Sequence, residues 1–339
     1  MNETNLETIF QDEESKMIYH YRHLFNQTGN LNYIYKMCSL ILDHRNIEFE
    51  KLWQICSNKK IVIFGCGAIS EEIYKILKIA NKEVHYFCDN NKMRWGNEFM
   101  RKIVISPLQL KEMYREVAVV IGTSIPTYIN QITKQLLDMG FKEEDILFSC
   151  KDMGRQYFDL PELNLSEIDY FVDAGCFNGD DTLSFLEHCK NAKGAYIFEP
   201  DEKNLIICKK QLQGIEDLNL YPYALWDKKE TISFSAENTG SSHIQSIGDT
   251  TIDCISLDEV LDGKTVSYIK MDIEGSELNA LIGAKETIKR WRPKLAICVY
   301  HKKEDIYKIP QYLLKLVPDY QLYLRHYSIG TLETVLYAI

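Results

Sequence analysis

The sequence has no long apolar run, no basic block and no paired cysteines, and each absence excludes a class of protein. No apolar stretch approaches the roughly 18 residues that cross a bilayer. The acidic start "MNETNLETIFQDEESK" also argues against a signal peptide. A formal net charge of −10 without a run of Lys and Arg argues against nucleic-acid binding. The 10 cysteines include no CxxC pair, which favours a reduced, cytoplasmic protein over a disulfide framework.

The distribution of glycine and apolar residues predicts the domain organisation. A chain of 339 residues is longer than most single cores, so two domains are expected. Residues 1–56 carry apolar side chains every three or four positions and no glycine before Gly29, which predicts a helical segment that packs on the next domain or forms a contact in a homo-oligomer. Alternating strand and helix patterns follow over 57–150 and again over 168–339, which predicts an α/β protein with parallel sheets. The mixed, polar stretch 151–167 reads as a linker.

A glycine turn in the second half, "VDAGCFNGDDT", indicates a cofactor site. An apolar strand delivers Asp173 to the sheet edge, and Gly175 and Gly179 let the backbone approach a ligand. Asp180 lies where the next helix begins, which disfavours a pyrophosphate at that position. Glu199, in "IFEPD" about 24 residues after Gly175, can accept both hydroxyls of a ribose. The set favours S-adenosylmethionine over NAD, with a dinucleotide turn or a purely structural turn as the alternatives.

Residues from about 168 to 339 resemble the FkbM family of S-adenosylmethionine-dependent O-methyltransferases. The resemblance rests on "VDAGCFNGDDT", "IFEPD", "YALWD", "ISLDEVL", "YIKMDIEGSELNALIGA" and "ETVLYAI", which occur in this order. It implies a class I methyltransferase sheet and an alcohol acceptor, often on a sugar or polyketide. It also implies that Asp173, Gly175, Gly179 and Glu199 line the methionine and ribose parts of the cofactor site, and that Ala224 lies near the adenine. Independently of the resemblance, the strand patterns "YQLYLRHY" and "ETVLYAI" predict an antiparallel hairpin at the edge of this sheet.

Methyl transfer to an alcohol requires a group that removes the hydroxyl proton or a metal that lowers the hydroxyl pKa. Four side chains at predicted strand ends are candidates: Lys270, Asp272, His301 and His326. His301 is preferred as base or substrate ligand because it follows an apolar strand and opens a polar loop. Asp272, with the neighbouring Glu274, could orient the methionine ammonium, hold the acceptor hydroxyl or join a histidine at a divalent ion. No spacing reaches the strength of a metal motif, so metal dependence stays open.

The first half contains a second glycine turn, "GCGAIS". Gly65 and Gly67 follow a strand, and Asp89 ends the next strand 22 residues after Gly67, where an acid that binds a ribose would lie. Ser70 takes the place of the third glycine and is a candidate N-cap. The stretch resembles the small Rossmann-type domain of sugar O-acyltransferases and other surface-polysaccharide enzymes. A nucleotide or nucleotide-sugar site, an NAD site and a docking domain with a vestigial turn remain the alternatives.

The sequence therefore predicts a helical segment followed by two Rossmann-like domains, of which the second is a methyltransferase domain. We expect it to methylate a hydroxyl of a sugar, glycan or nucleotide-sugar in surface-polysaccharide biosynthesis. The alternative is a bifunctional or non-catalytic protein of a polysaccharide assembly that binds a nucleotide-sugar or NAD.

Overall fold

The computed structural model describes residues 3–45, 58–123, 125–148, 156–158, 160–235, 243–244 and 250–339. Its contacts divide the chain into two units. One unit comprises the described residues within 1–23, 154–325 and 332–339, and the other those within 24–153 and 326–331. The predicted helical segment 1–56 is thus shared between the units. Its positions 1–2 and 46–56 lie outside the described residues, as do positions 151–155 and 159 of the predicted linker.

The N-terminal segment is helical, as predicted. A 3-10 helix spans Glu3–Ile9, α1 spans Glu13–Thr28 and α2 spans Asn32–Arg45. Of the helices within the described residues, none is both long and apolar enough to cross a membrane.

The second of the two units contains a six-stranded sheet in the order β3-β4-β2-β1-β5-β6. Its strands are parallel except for the short β3, which runs antiparallel to β4. Strand β5 is fully apolar, and β1 is apolar after Lys60; together they bury Val62, Phe64, Val119 and Ile121, as expected for strands covered on both faces. The strands are β1 Lys60–Phe64, β2 Val84–Cys88, β3 Glu98–Phe99, β4 Lys102–Ile105, β5 Val117–Ile121 and β6 Ile146–Phe148; the helices are α3 Ala68–Ile79, α4 Pro107–Glu112 and α5 Pro126–Asp138.

The other unit contains a seven-stranded sheet in the order β16-β17-β15-β14-β7-β8-β9 and a four-stranded sheet in the order β10-β13-β11-β12. Strands β7, β8, β9, β14 and β15 are parallel, and β17 runs antiparallel to β15. The last two strands, β16 and β17, are neighbours at one edge of the sheet, where a hairpin was predicted. The strands are β7 Tyr170–Ala174, β8 Gly194–Phe198, β9 Leu218–Tyr221, β10 Ala224–Leu225, β11 Glu230–Ser235, β12 His243–Ile244, β13 Thr250–Ile255, β14 Tyr268–Met271, β15 Lys294–Cys298, β16 Leu322–His326 and β17 Thr334–Ala338. The helices are α6 Asp180–His188, α7 Glu202–Gln211, α8 Leu257–Leu261, α9 Glu277–Ile282, α10 Lys285–Trp291 and α11 Asp305–Leu316.

Three local predictions are wrong. The helix expected over "SELNALIGAKETIKRW" is two helices, α9 and α10, that part at Gly283; a Cβ on this glycine would lie 2.0 Å from the Trp226 carbonyl oxygen. The strand expected over "NLYPYAL" is split between two sheets around Pro222, which has no N–H for a ladder. Ser70 is not an N-cap: α3 starts at Ala68 after Gly67, and the buried Ser70 hydroxyl donates to the Gly122 carbonyl at 3.1 Å.

The N-terminal segment covers the edge strand β16 of the seven-stranded sheet. Phe10 forms a bridge with Leu322, and the N–H of Gln11 donates to the Leu322 carbonyl at 3.0 Å. The Ser15 hydroxyl accepts from the N–H of Leu324 at 2.8 Å. Because an open edge strand exposes unpaired backbone groups, these contacts protect the sheet from pairing with other chains.

Candidate functional site

The glycine turn after β7 packs directly on the end of β14. Gly175 has φ +81°, and a Cβ there would lie 2.0 Å from the carbonyl oxygen of Asp272. Gly179 has φ +95° and lies immediately before α6. Both positions adopt the left-handed conformation that side chains disfavour. The turn therefore needs glycine twice, once for a close backbone approach and once to start the helix.

Below this turn, Lys270 forms a buried ion cluster. Its ammonium lies 3.0 Å from Asp173 Oδ1 and 2.7 Å from Asp181 Oδ2, and it donates to the Gly175 carbonyl at 2.8 Å. Asp173 Oδ2 accepts from the Thr182 hydroxyl at 2.7 Å. Burial alone would lower the pKa of Lys270, but the carboxylates raise it well above the usual value. These contacts favour a structural role for Lys270 over the predicted catalytic one, because an ammonium bound to two carboxylates retains its proton.

Glu199 lies at the end of β8 and faces the same turn. Its carboxylate accepts from the N–H of Phe177 and from the N–H of Asp201, both at 2.9 Å. Burial raises the pKa of Glu199 to about 7, and the two backbone hydrogen bonds oppose that rise. The Glu199 carboxylate, which was predicted to bind the ribose, is thus held in place partly by the backbone of the glycine turn.

Two further residues, Asp180 and Ala224, were predicted to bind the cofactor. Asp180 opens α6, where its carboxylate accepts from Asn178 Nδ2 at 2.6 Å and also from the side chain of Gln211. Ala224 lies in β10 of the four-stranded sheet, where it is buried opposite Cys254.

A histidine surrounded by carboxylates lies at the ends of β14 and β15. His301 Nε2 is 3.5 Å from Asp272 Oδ1 and 3.4 Å from Glu274 Oε2, and His301 Nδ1 is 3.0 Å from Glu277 Oε1. Burial alone would lower the pKa of His301, but contact with Glu277 and the charges of Asp272 and Glu274 raise it to about 9. At neutral pH the imidazole is then protonated, which fits the predicted role of substrate ligand better than that of base.

Two tyrosines fix the Asp272 carboxylate. The hydroxyl of Tyr300 donates to Oδ1 and the hydroxyl of Tyr157 donates to Oδ2, each at 3.1 Å. Tyr157 has φ +73°, and its backbone is held by the hydroxyls of Tyr337 and Tyr268. Sequence reasoning missed Tyr157, because it lies in the predicted linker and no local pattern marks it.

Three further acids near the histidine were not singled out from the sequence. Glu277 is fully buried at the start of α9, and its Oε1 accepts from the N–H of Ile273 at 3.0 Å. Burial and the charge of Asp272 raise the pKa of Glu333 to about 7. Burial and the charge of Glu277 raise the pKa of Asp305 to about 7 as well. Glu277 could have been found from the sequence, since "DIEGSE" places three acids around one turn.

The four predicted catalytic groups are therefore not one cluster. Asp272 and His301 lie together, whereas Lys270 is engaged by Asp173. His326 ends β16, two strands from β15 in the sheet order, and its side chain is fully buried.

The first glycine turn has a different character. Gly65 has φ +113° and its N–H donates to the Cys88 carbonyl at 2.7 Å, while a Cβ on Gly67 would meet no atom within 4 Å. Asp89 Oδ1 accepts from the N–H of Asn91 at 2.8 Å, and the Asp89 carbonyl accepts from Trp95 Nε1 at 2.7 Å. Asp89 thus closes its own loop, and Trp95 packs locally.

Comparisons with known proteins found a matching family for each half of the chain. Residues 173–322 match the methyltransferase FkbM domain family, and residues 57–147 match the C2185-like N-terminal family. The chain is 24% identical over 178 residues to 2-O-methyltransferase NoeI of Sinorhizobium fredii, covering 44% of this chain and 72% of the relative. A crystal structure of methyltransferase FkbM from Methylobacillus flagellatus KT is similar in fold, with a TM-score of 0.50 and 18% identity over 94% of this chain and all of that one.

The predicted resemblance is confirmed by these matches, and so is the predicted class of enzyme. The chain is a methyltransferase, and its residues 173–322 form an FkbM-family methyltransferase domain.

Proposed function

We propose that the protein transfers the methyl group of S-adenosylmethionine to a hydroxyl of a sugar, glycan or nucleotide-sugar. The observation that carries the proposal is the packing of Gly175 on the carbonyl of Asp272. Because of this packing, the glycine turn lies next to the cluster of His301 and its carboxylates. The turn would hold the methyl donor, and the cluster would bind the acceptor hydroxyl. The relative NoeI, named a 2-O-methyltransferase, supports oxygen as the acceptor atom.

The residues of the turn would bind and orient the methyl donor. Glu199 accepts the ribose hydroxyls, and the backbone of Gly175–Gly179 lies along the methionine part. When bound, S-adenosylmethionine supplies an electrophilic methyl group on a sulfonium. Rate then depends on an in-line approach of the acceptor oxygen, which bound geometry can favour strongly.

The cluster at the ends of β14 and β15 would prepare the acceptor. Asp272, fixed by two tyrosine hydroxyls, accepts the hydroxyl proton, and His301 donates a hydrogen bond to a second acceptor oxygen. Carboxylates and an imidazole on one wall suit a polyhydroxylated acceptor, because each hydroxyl can donate and accept.

We place the reaction in the assembly of a surface polysaccharide, which the resemblance of residues 57–150 to domains of such enzymes supports. In that case the glycine turn at Gly65 binds a nucleotide or nucleotide-sugar.

The first test combines binding with turnover. We expect S-adenosylhomocysteine to bind in calorimetric titration and UDP to bind independently of it. Tritiated methyl from S-adenosylmethionine should then appear in one member of a panel of nucleotide-sugars and glycans. In Glu199→Gln the cofactor affinity should fall by about 1–3 kcal/mol, because ribose hydroxyls lose a charged partner. Binding of NAD but not of S-adenosylhomocysteine would overturn the proposal.

A second prediction concerns the pH dependence of cofactor binding. With a pKa of about 7 for Glu199, the carboxylate is roughly one tenth ionised at pH 6 and nine tenths ionised at pH 8. Because the ionised form accepts both ribose hydroxyls, affinity should rise with pH and be about tenfold weaker at pH 6 than at pH 8. The ligand to use is 5′-methylthioadenosine, which keeps the ribose but lacks the titrating amino acid.

The control for this pH profile is Glu199→Gln, which should bind 5′-methylthioadenosine more weakly and with little change between pH 6 and pH 8. Asp201, whose charge also acts on Glu199, stays in place in this variant. If wild-type affinity is the same at both pH values, Glu199 does not bind the ribose.

A further inference from the structure

The acid–histidine cluster has the dimensions of a metal site. One oxygen each of Asp272 and Glu277 and one ring nitrogen of His301 lie within 4.8 Å of one another. In an octahedral site with bonds of about 2.1 Å, opposite ligands are about 4.2 Å apart. Adjacent ligands in such a site are about 3.0 Å apart, so at least two of the three pairs would close by up to about 1.8 Å for the atoms to share an ion.

Polar atoms in this cluster are buried without hydrogen-bond partners. Glu277 is fully buried, and among the described residues no donor reaches its Oε2. The His301 side chain is 9% exposed, and within the same part of the chain neither ring nitrogen makes a hydrogen bond of good geometry, although Nδ1 lies 3.0 Å from Glu277 Oε1. Because unpaired buried polar atoms are costly, these atoms indicate a ligand that would join them.

The three side chains are also held by rigid elements. Asp272 directly follows β14, Glu277 begins α9, and His301 lies three residues after β15. The hydroxyls of Tyr157 and Tyr300 orient the Asp272 carboxylate, and the N–H of Ile273 holds Glu277 Oε1. Such outer contacts are typical of metal ligands, because they fix the ligand before the ion arrives.

We propose that Asp272, Glu277 and His301 bind one divalent first-row metal ion of the Mn²⁺ class. Two carboxylates with one imidazole suit Mn²⁺, Fe²⁺ or Zn²⁺, whereas Ca²⁺ prefers a larger set of oxygens and Mg²⁺ prefers oxygen alone. The purpose of the ion rests on the proposed function. On binding, the ion would displace one ring proton of His301, and the other ring N–H would still donate to the acceptor. The ion would lower the pKa of the acceptor hydroxyl, and the hydroxyl proton would pass to the Asp272 oxygen that does not bind the ion.

The test measures ion binding without donor or acceptor. Full-length protein without an affinity tag is dialysed against EDTA and then titrated with Mn²⁺ alone, and free Mn²⁺ is followed by electron paramagnetic resonance. We expect one ion per chain. Affinity should fall at least tenfold in Glu277→Gln and in His301→Ala, and it should be unchanged in Asp319→Asn, a surface acid in the same unit.

A direct signature makes the test independent of how the variants fold. Electron spin-echo modulation of the wild-type Mn²⁺ complex should show one directly bound imidazole nitrogen. No stoichiometric binding, no nitrogen signal, or equal affinity in folded Glu277→Gln and His301→Ala would each overturn the site. Methyl transfer that persists in EDTA would leave the proposed function intact and remove only the ion from it.

Discussion

Replacing Lys270 with methionine is expected to lower the free energy of unfolding of the methyltransferase unit by about 3–5 kcal/mol. The ammonium of Lys270 lies between Asp173 and Asp181, and its side chain is 1% exposed. Methionine has a side chain of similar length but no charge, so the buried carboxylate of Asp173 would lose its cationic partner. Removing one partner of a buried ion pair costs more than the pair itself contributes, because the remaining charge stays desolvated.

The measurement should report on this sheet alone, since a chain of two units need not unfold in one step. Hydrogen exchange at the amides of β7 and β14 provides that local free energy. Lys308→Met, which breaks an exposed pair with Glu304, should cost at most about 1 kcal/mol. The double variant Lys270→Met with Asp173→Asn should recover part of the loss. A cost for Lys270→Met no larger than for Lys308→Met would contradict the buried cluster.

Asp272→Asn is expected to lower kcat by about 10²–10⁴-fold, the range typical of losing a group that accepts a proton in the transition state. Asparagine has the same shape and keeps one oxygen for a tyrosine hydroxyl, so the fold should be retained. It lacks the negative charge needed to receive a proton or to bind an ion. Cofactor affinity should change by less than about threefold, because Asp272 meets the glycine turn through its backbone carbonyl.

Single-turnover methyl transfer in Asp272→Asn separates chemistry from product release, and titration with S-adenosylhomocysteine checks the cofactor site. Asp319→Asn, which changes an exposed acid paired with Arg292, should leave both values unchanged. A kcat near the wild-type value in Asp272→Asn would remove this carboxylate from the reaction.

Local sequence patterns predicted the parts of the site that lie on consecutive elements. Strand, glycine turn and helix follow one another within "VDAGCFNGDDT", so Gly175 and Gly179 could be assigned from spacing alone. Asp272 and His301 each follow an apolar strand, and parallel strands bring such positions to one edge. The meeting of these two residues was therefore predictable without knowledge of packing.

Contacts with residues distant in sequence could not be predicted from local patterns. Lys270 and Asp272 were both predicted at the end of the same strand. The ammonium of Lys270, however, binds the carboxylate of Asp173, which lies 97 positions earlier in the chain. Gly283 reads as a tolerated glycine inside a helix, but it is the point where α9 and α10 part beside Trp226. Tyr157 belongs to a stretch without periodicity, and only the folded chain brings its hydroxyl to Asp272.

The sequence by itself determined the α/β class, the helical start, the glycine turn followed by Glu199, and the resemblance to FkbM methyltransferases. These features are encoded in short-range order: apolar period, glycine position and the acid at the end of a strand. The tertiary structure alone decided which charges are paired, which carboxylates surround His301, and which tyrosines orient Asp272. The reason is physical, since burial and Coulomb interaction depend on distances in space, and residues adjacent in the fold here are as far apart in sequence as Tyr157 and Asp272.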